Sequence, residues 1–122
     1  MADTLYETIG GNRTIQVAVQ RFYEKVLADD TLRTFFEGVD VVQLRSRQSM
    51  FVSMLLGGRV VYTGKHIHAA HEKPRKMGMN ETHFNTFLTY FRESLEEVGV
   101  RPERLGHILE LLRASRDEVL RP

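Results

Sequence analysis

The stretch NETHFNTFLTYFRESLEEVG, residues 80–99, decides the fold class, because its apolar side chains recur at the spacing of one helix face. Asn80 is a good N-cap residue, and Gly99 follows the last apolar position, as glycine often does at helix ends. This pattern predicts an amphipathic helix over residues 81–98. The members of its stripe are Phe84, Phe87, Leu88, Phe91, Leu95 and Val98.

Working outward from this helix, the same patterns predict an all-α chain without strands. Capping-box patterns at residues 4–7 and 40–43 each open a helix, and Asp30 is a candidate cap for another. The other predicted helices are short at residues 5–9, 31–36 and 65–72 and long at residues 13–28, 41–56 and 102–120. Loops are predicted at residues 59–64 and at the basic residues 73–79, which we expect to be exposed. Two glycine pairs at helix ends predict crowded turns, where a side chain would collide.

The composition is that of an ordinary globular protein. With 122 residues, 42% of them hydrophobic, we expect a single domain over residues 1–122 with a core of its own. Because the chain has no cysteine, disulfides, thiolate–zinc sites, iron–sulfur clusters and thiol nucleophiles are excluded. A net charge of +1 argues against nucleic acid as the main partner. No apolar run approaches the ~20 residues of a membrane span, so we expect a cytoplasmic protein.

Two polar side chains interrupt the apolar faces of the predicted helices. Gln48 lies in the inward stripe of residues 41–56, and Tyr23 lies in that of residues 13–28. Each has an ordinary explanation, because boundary glutamines and hydrogen-bonded core tyrosines are common. Together they also fit a small-molecule site, which places a few polar groups in an apolar pocket. The pattern leaves both interpretations open.

Three histidines, His66, His68 and His71, fall within six residues. A shared zinc ion is disfavoured, because His66 and His68 lie about 200° apart on a helix and no carboxylate stands at a matching spacing. A single ligand at His71 fits better, since the small residues Ala69 and Ala70 allow a flat group to approach. A capping or surface histidine is the ordinary alternative.

Other catalytic motifs are absent from the sequence. It contains no P-loop, no GxGxxG and no GxSxG pattern. A small basic patch at Lys73, Arg75 and Lys76 is better explained as a solvated loop than as a phosphate site.

An ordered set of short motifs spans nearly the whole chain. They are LYETIGG at 5–11, FYEKVLADD at 22–30, the phenylalanine pair at 35–36, QLRSRQSMF at 43–51, LLGG at 55–58, YTGKHIHAAH at 62–71 and THF at 82–84. Each is weak alone, but in this order and spacing they resemble the truncated haemoglobins of group I, particularly the mycobacterial type. The resemblance implies a truncated globin fold, a 2-on-2 α-helical sandwich around noncovalent haem b.

The resemblance also implies roles for individual residues. His71 matches the proximal histidine, which binds the haem iron through one ring nitrogen while the other donates to a backbone carbonyl. Tyr23 and Gln48 match the distal tyrosine and glutamine that stabilise the ligand. The remaining matches bind the cofactor: Phe36 on the haem face, Leu44 and Phe51 in the distal wall, Arg47 at a propionate, and Tyr62, Ile67 and Phe84 elsewhere around it.

Four positions depart from the family pattern. Val52 and Phe87 differ from residues that gate or line a ligand tunnel in the mycobacterial type, so tunnel gating is not carried over. Arg47 stands where cyanobacterial relatives have a histidine that binds the iron, and Ser115 aligns near their histidine that bonds covalently to haem. We therefore expect neither a bis-histidine form nor a covalent haem link.

The function implied by the resemblance is reversible binding of O2, and also of NO and CO, at ferrous haem. It further suggests conversion of NO to nitrate, which needs an external reductase because the chain has no flavin or nicotinamide motif. O2 storage, O2 sensing and peroxidase-like chemistry would use the same pocket. A non-haem helical interaction module is the alternative from another class. We expect a monomer without nucleic-acid or membrane partners.

Overall fold

Every regular element of the described residues is a helix. The computed structural model describes residues 4–59 and 71–120, and these ranges contain no strand. The elements are α1 Leu5–Thr8, α2 Gly11–Ala28, a 3-10 helix Leu32–Phe36, α3 Val41–Leu55, α4 Glu72–Lys76, α5 Glu81–Glu97, α6 Pro102–Arg113 and α7 Arg116–Leu120. No helix within these ranges is long and apolar enough to cross a membrane. The loop predicted at 59–64 and the helix predicted at 65–72 fall largely outside them.

The core forms where α2 packs against both α3 and α5, and α6 packs against α5. The apolar stripe predicted for α2 is buried throughout, at Ile15, Ala18, Val19, Phe22, Tyr23 and Val26. Most of the α5 stripe is buried as well, at Phe84, Leu88, Phe91 and Leu95. Two helix pairs, α2 with α3 and α5 with α6, therefore supply the core, as their hydrophobic periodicity predicts.

Polar caps fix where α3 and α5 begin. Asn80 Oδ1 accepts from the amides of Thr82 and His83 at 2.9 and 3.3 Å, and His83 Nδ1 accepts in return from the Asn80 amide at 3.0 Å. Asp40 Oδ1 accepts from the Gln43 amide at 3.2 Å. Both caps were predicted from the sequence, and each satisfies amides that the first helical turn leaves without partners.

The cap of the 3-10 helix is Asp29, so the prediction of Asp30 is wrong. Asp29 Oδ1 accepts from the amides of Thr31 and Leu32 at 2.9 and 3.1 Å. Asp30 instead forms an exposed ion pair with Arg33. Adjacent aspartates have the same capping ability, so the sequence alone could not choose between them.

The prediction of an exposed loop at residues 73–79 is wrong in part, because much of the segment is exposed but it begins as a helix and ends in the core. α4 occupies Glu72–Lys76, and Met79 after it is buried. Pro74 does not disrupt α4, because it lies in the first turn, where its missing amide would have had no helical partner. Gly78 adopts a φ of +96°, which favours glycine and turns the chain towards the core at Met79.

The predicted helix over residues 102–120 is in fact two helices. α6 ends at Arg113, α7 begins at Arg116, and Ser115 between them is buried. Ser115 Oγ donates to the Leu112 carbonyl oxygen at 2.6 Å. Serine hydroxyls that bond nearby carbonyls in this way compete with helix continuation. The apolar stripe continues across the break, so periodicity did not reveal it.

Gly58 lies in a crowded turn, as its glycine pair predicts. A Cβ at this position would lie 2.9 Å from the Ser53 carbonyl oxygen and 3.1 Å from the Tyr6 ring. The Tyr6 amide also donates to the Leu56 carbonyl at 2.8 Å. The chain after α3 can therefore pass this close to α1 only with glycine at position 58.

A hydrogen bond fastens α5 to the end of α2. The Tyr90 hydroxyl donates to Asp29 Oδ2 at 2.6 Å. This bond, followed by that from the Leu32 amide, lowers the pKa of the Asp29 carboxyl, and it raises the pKa of Tyr90. A lowered carboxyl pKa stabilises the folded chain above the ordinary value of 3.8, and that stabilisation is lost as the pH falls through the folded value.

We expect Tyr90→Phe to lower the free energy of unfolding by about 1.5 kcal/mol at pH 7, the lower end of the range for a hydrogen bond to a charged group, because the bond is only partly buried. The difference from the wild-type protein should shrink below about pH 4, because protonated Asp29 no longer gains from the hydroxyl. Urea unfolding at pH 7 and at pH 3 measures both values. A difference that stays the same at both pH values would contradict the role of the charged carboxylate.

Candidate functional site

One cleft gathers side chains from α2, the 3-10 helix and α3 through α7. It holds about 890 Å³ of space between protein atoms, part of it open to solvent. Its polar lining consists of Tyr23, Arg47, Gln48, His71 and Ser115. The rest of the described lining is apolar, and much of it is aromatic.

The structure brings the described candidate residues to this cleft. The candidates that line it are Tyr23, Phe36, Leu44, Arg47, Gln48, Phe51, His71 and Phe84. Tyr62 and Ile67 lie outside the described residues, as do His66 and His68. Side chains that are distant in the sequence thus meet around one space, which no local sequence pattern requires.

An aromatic wall comes from α2, the 3-10 helix and α5. The Tyr23 and Phe36 rings meet edge to face with centroids 5.8 Å apart, and Phe36 meets Phe87 at 6.1 Å. Phe22 lies 4.9 Å from Tyr23 and 5.4 Å from Phe91, also between ring centroids. Such contacts favour particular ring orientations. The Tyr23 side chain is 4% exposed, and these ring contacts restrict its orientation.

One face of α3 lines the cleft, and its residues become more buried towards the C-terminal end of the helix. Leu44, Gln48 and Phe51 share this face, because they are spaced by four and three residues. Arg47 beside them is exposed, Leu44 and Gln48 are half-buried, and Phe51 is buried. Gln48 thus occupies a boundary position and also lines the cleft, so the two interpretations that its sequence pattern left open are compatible.

His71 lies at the start of α4, where it is half-buried and lines the cleft. Its carbonyl oxygen accepts from the Arg75 amide at 3.0 Å, which begins the helix. Pro74 and Met79, from the same segment, line the cleft too. The chain that follows His71 is therefore part of the cleft wall.

Several lining residues were not recognised as site residues from the sequence. Leu88, Phe91 and Leu112 belong to stripes predicted as core, and Met79 belongs to a segment predicted as loop. An apolar stripe has the same period whether it faces other side chains or a ligand-sized space, so periodicity carries no signal for the difference. Met79 offered a weak sequence signal, because it is an apolar residue directly before a helix cap.

The side chains of the cleft suit an organic cofactor better than a bare metal ion. Within residues 4–59 and 71–120, no three histidine, aspartate or glutamate side chains are grouped as metal ligands. His71 supplies an imidazole, and aromatic rings such as that of Phe36 line the adjacent space. A flat prosthetic group that brings most of its metal's ligands and takes one imidazole fits this set. Arg47, at the exposed rim, offers a cation to acidic substituents of that group.

Comparison with known sequences identifies similar proteins over almost the whole chain. Residues 4–121 match the family model described as bacterial-like globin. The group 1 truncated haemoglobin of Synechocystis sp. is 39% identical over 106 residues, which cover 86% of either chain. That of Tetrahymena pyriformis is 32% identical, over 96% of this chain and 94% of its own.

Solved structures of similar proteins have the same architecture. The Fe(III) form of the Tetrahymena pyriformis truncated haemoglobin has a TM-score of 0.86 and 32% identity, over 97% of this chain and 98% of that one. The cyanomet 2/2 haemoglobin of Synechococcus sp., which carries covalently attached haem, has a TM-score of 0.90 and 28% identity. That match covers 98% of this chain and 100% of the other.

Proposed function

The chain belongs to the group 1 truncated haemoglobins, a family of haem-binding globins, and from this premise we propose that it binds O2 reversibly at a noncovalent haem b in the cleft. The predicted fold class, a 2-on-2 α-helical truncated globin, is confirmed by the same relationship. The observation that supports the proposed function best is that His71, Tyr23 and Gln48 line one aromatic cleft.

His71 is proposed as the axial ligand of the iron. Its neutral imidazole is a common ligand of haem iron, and its position at the cleft supports the role. When bound, the haem supplies a ferrous iron with an open coordination position for O2, NO or CO. Ser115 has no ring nitrogen with which to form a covalent haem link, which supports a noncovalent cofactor.

The other cleft residues are proposed to hold the flat group by contact and charge. Phe36, Phe51 and Phe84 offer aromatic surface, and Leu44 adds aliphatic surface. Arg47 is exposed at the rim, where a guanidinium can bind a propionate in a bidentate manner. Tyr62 and Ile67 are proposed as cofactor neighbours on the family resemblance alone.

Tyr23 and Gln48 are proposed to stabilise the ligand. A tyrosine hydroxyl is a hydrogen-bond donor, and a neighbouring amide can orient it. A donor in this position favours a ligand that gains negative charge on binding, as O2 does, over CO. Hydrogen bonds to charged groups contribute about 1.5–3 kcal/mol, so this pair can set how long O2 stays bound.

Titration of the purified protein with hemin tests the proposal. We expect a Soret band that saturates at about one hemin per chain, as one axial ligand predicts, and O2-dependent and CO-dependent shifts of that band after reduction. A spectrum that remains that of unbound hemin would contradict the proposal and favour a non-haem interaction module.

Conversion of NO to nitrate is a second proposal for the same cleft. With haem bound, one O2, one NO and one electron from the haem would give one nitrate, so a separate reductase would have to return that electron. The sequence has no cysteine, so modification of a thiol by NO does not compete with this reaction. Mixing the oxygenated protein with NO should release one nitrate per haem. If no nitrate is formed, O2 storage or sensing remains as the function.

A further inference from the structure

α4, the helix that follows His71, is too short to hold its own position. It has five residues, and Glu72, Lys73 and Lys76 are exposed. Isolated helices of this length are unstable in water, because few internal hydrogen bonds offset the cost of the first turn. The position of α4, and of His71 at its start, therefore depends on bonds to other parts of the fold.

Arg75 makes two bonds that link His71 to the C-terminal helix. Its backbone amide donates to the His71 carbonyl oxygen at 3.0 Å. Its guanidinium Nη1 donates to the Val119 carbonyl oxygen at 3.1 Å. Val119 lies in α7 and itself lines the cleft. One residue thus connects the backbone of the proposed iron ligand to another wall of the same cleft.

The Val119 carbonyl is a favourable partner for a cation. It lies in the last turn of α7, where carbonyl groups have no amide donor within the helix. α7 is as short as α4, but the Val119 side chain is buried in the core. The partial negative charge on the last carbonyl oxygens of α7 stabilises a guanidinium in addition to the hydrogen bond. The bond is partly buried, which limits competition from water.

A second link from α4 is weaker. Lys73 Nζ donates to the Glu37 carbonyl oxygen at 3.4 Å, at an exposed site. Glu37 directly follows Phe36, another cleft residue. Because a long, exposed bond contributes little, Arg75 is the stronger of these two links between α4 and the cleft walls.

We propose that Arg75 is a positioning residue for His71, which it acts on by locking α4 to the end of α7. This inference rests on the proposed function, in which His71 binds the haem iron. Arg75 was interpreted from the sequence as part of a solvated basic patch, but it is half-buried. Without its guanidinium, α4 loses this hydrogen bond to α7, and we expect the backbone at His71 to be held less firmly.

The test compares Arg75→Gln with Lys76→Gln in the haem-loaded protein. Each variant removes one cation from α4, but Lys76 makes only an exposed ion pair with Glu72. We expect Arg75→Gln to release ferric haem about tenfold faster than the wild-type protein and to shift or broaden the iron–histidine stretching band of the ferrous form. Lys76→Gln should match the wild-type protein in both measurements.

The outcomes distinguish a failure of the Arg75 proposal from a failure of the proposed function. A His71→Gly variant that keeps the wild-type iron–histidine band would show that His71 is not the ligand, and both proposals would fail. If His71→Gly loses the band while Arg75→Gln behaves like Lys76→Gln, the function stands and the role of Arg75 is overturned. Faster haem loss in Arg75→Gln with an unchanged band would also overturn it, because a general loss of stability explains that result.

Discussion

A His71→Ala variant is expected to release ferric haem about 100-fold faster than the wild-type protein, a change at least as large as those seen when the supports of a metal ligand are removed. Without the imidazole, the described part of the cleft would retain the cofactor through apolar contacts and the rim cation Arg47. Transfer of haem to an excess of apomyoglobin measures the rate directly. Imidazole added to the solution should restore part of the retention, because it can replace the missing side chain at the iron.

His107→Ala is the matched control for this experiment. His107 is an exposed histidine on α6, so the same chemical change is made away from the cleft. Its haem release should equal that of the wild-type protein. Equal release rates in His71→Ala and His107→Ala would show that His71 is not the axial ligand.

For the bound gas ligand, Tyr23→Phe is expected to raise the rate of O2 dissociation by about tenfold or more. The estimate follows from the loss of one charge-assisted hydrogen bond, since about 1.4 kcal/mol corresponds to a factor of ten. CO dissociation should change much less, because CO gains little charge on binding. Gln48→Leu should give a smaller increase in the O2 rate, since its amide is proposed to act by orienting the Tyr23 hydroxyl.

Tyr90→Phe removes a tyrosine hydroxyl elsewhere in the fold and serves as the comparison. Its hydroxyl bonds Asp29, so the variant loses stability but should keep the wild-type rate of O2 dissociation. Stopped-flow displacement of O2 by CO measures all four proteins. A wild-type rate in Tyr23→Phe would exclude Tyr23 as the donor, and a faster rate in Tyr90→Phe would attribute the effect to lost stability.

Local sequence patterns predicted most of the helices, because caps and apolar periods act within a few residues. Asn80 and Asp40 were identified from their spacing to the next residues, and the stripes of α2 and α5 were identified from their period. The errors came where a local pattern is ambiguous. Asp29 and Asp30 cap equally well, and the Ser115 hydroxyl divides α6 from α7 without interrupting their stripe.

The site was less accessible to local patterns than the fold. Physical patterns singled out Tyr23, Gln48 and His71, but each had an ordinary structural explanation, and the family resemblance supplied their proposed roles. That they share one cleft depends on how α2, α3 and α4 are placed in three dimensions. Met79 shows the same limit, because its local signal, an apolar residue directly before a helix cap, is too weak to indicate that its segment turns inward.

The residues that line the cleft are far apart in the sequence, from Phe22 on α2 to Val119 on α7. During translation the chain leaves the ribosome from its N-terminus, so α2 emerges long before α7. Val119, and with it the carbonyl that Arg75 needs, becomes available only when synthesis of these residues is complete. We therefore expect a nascent chain to hold haem firmly only after α7 has been synthesised.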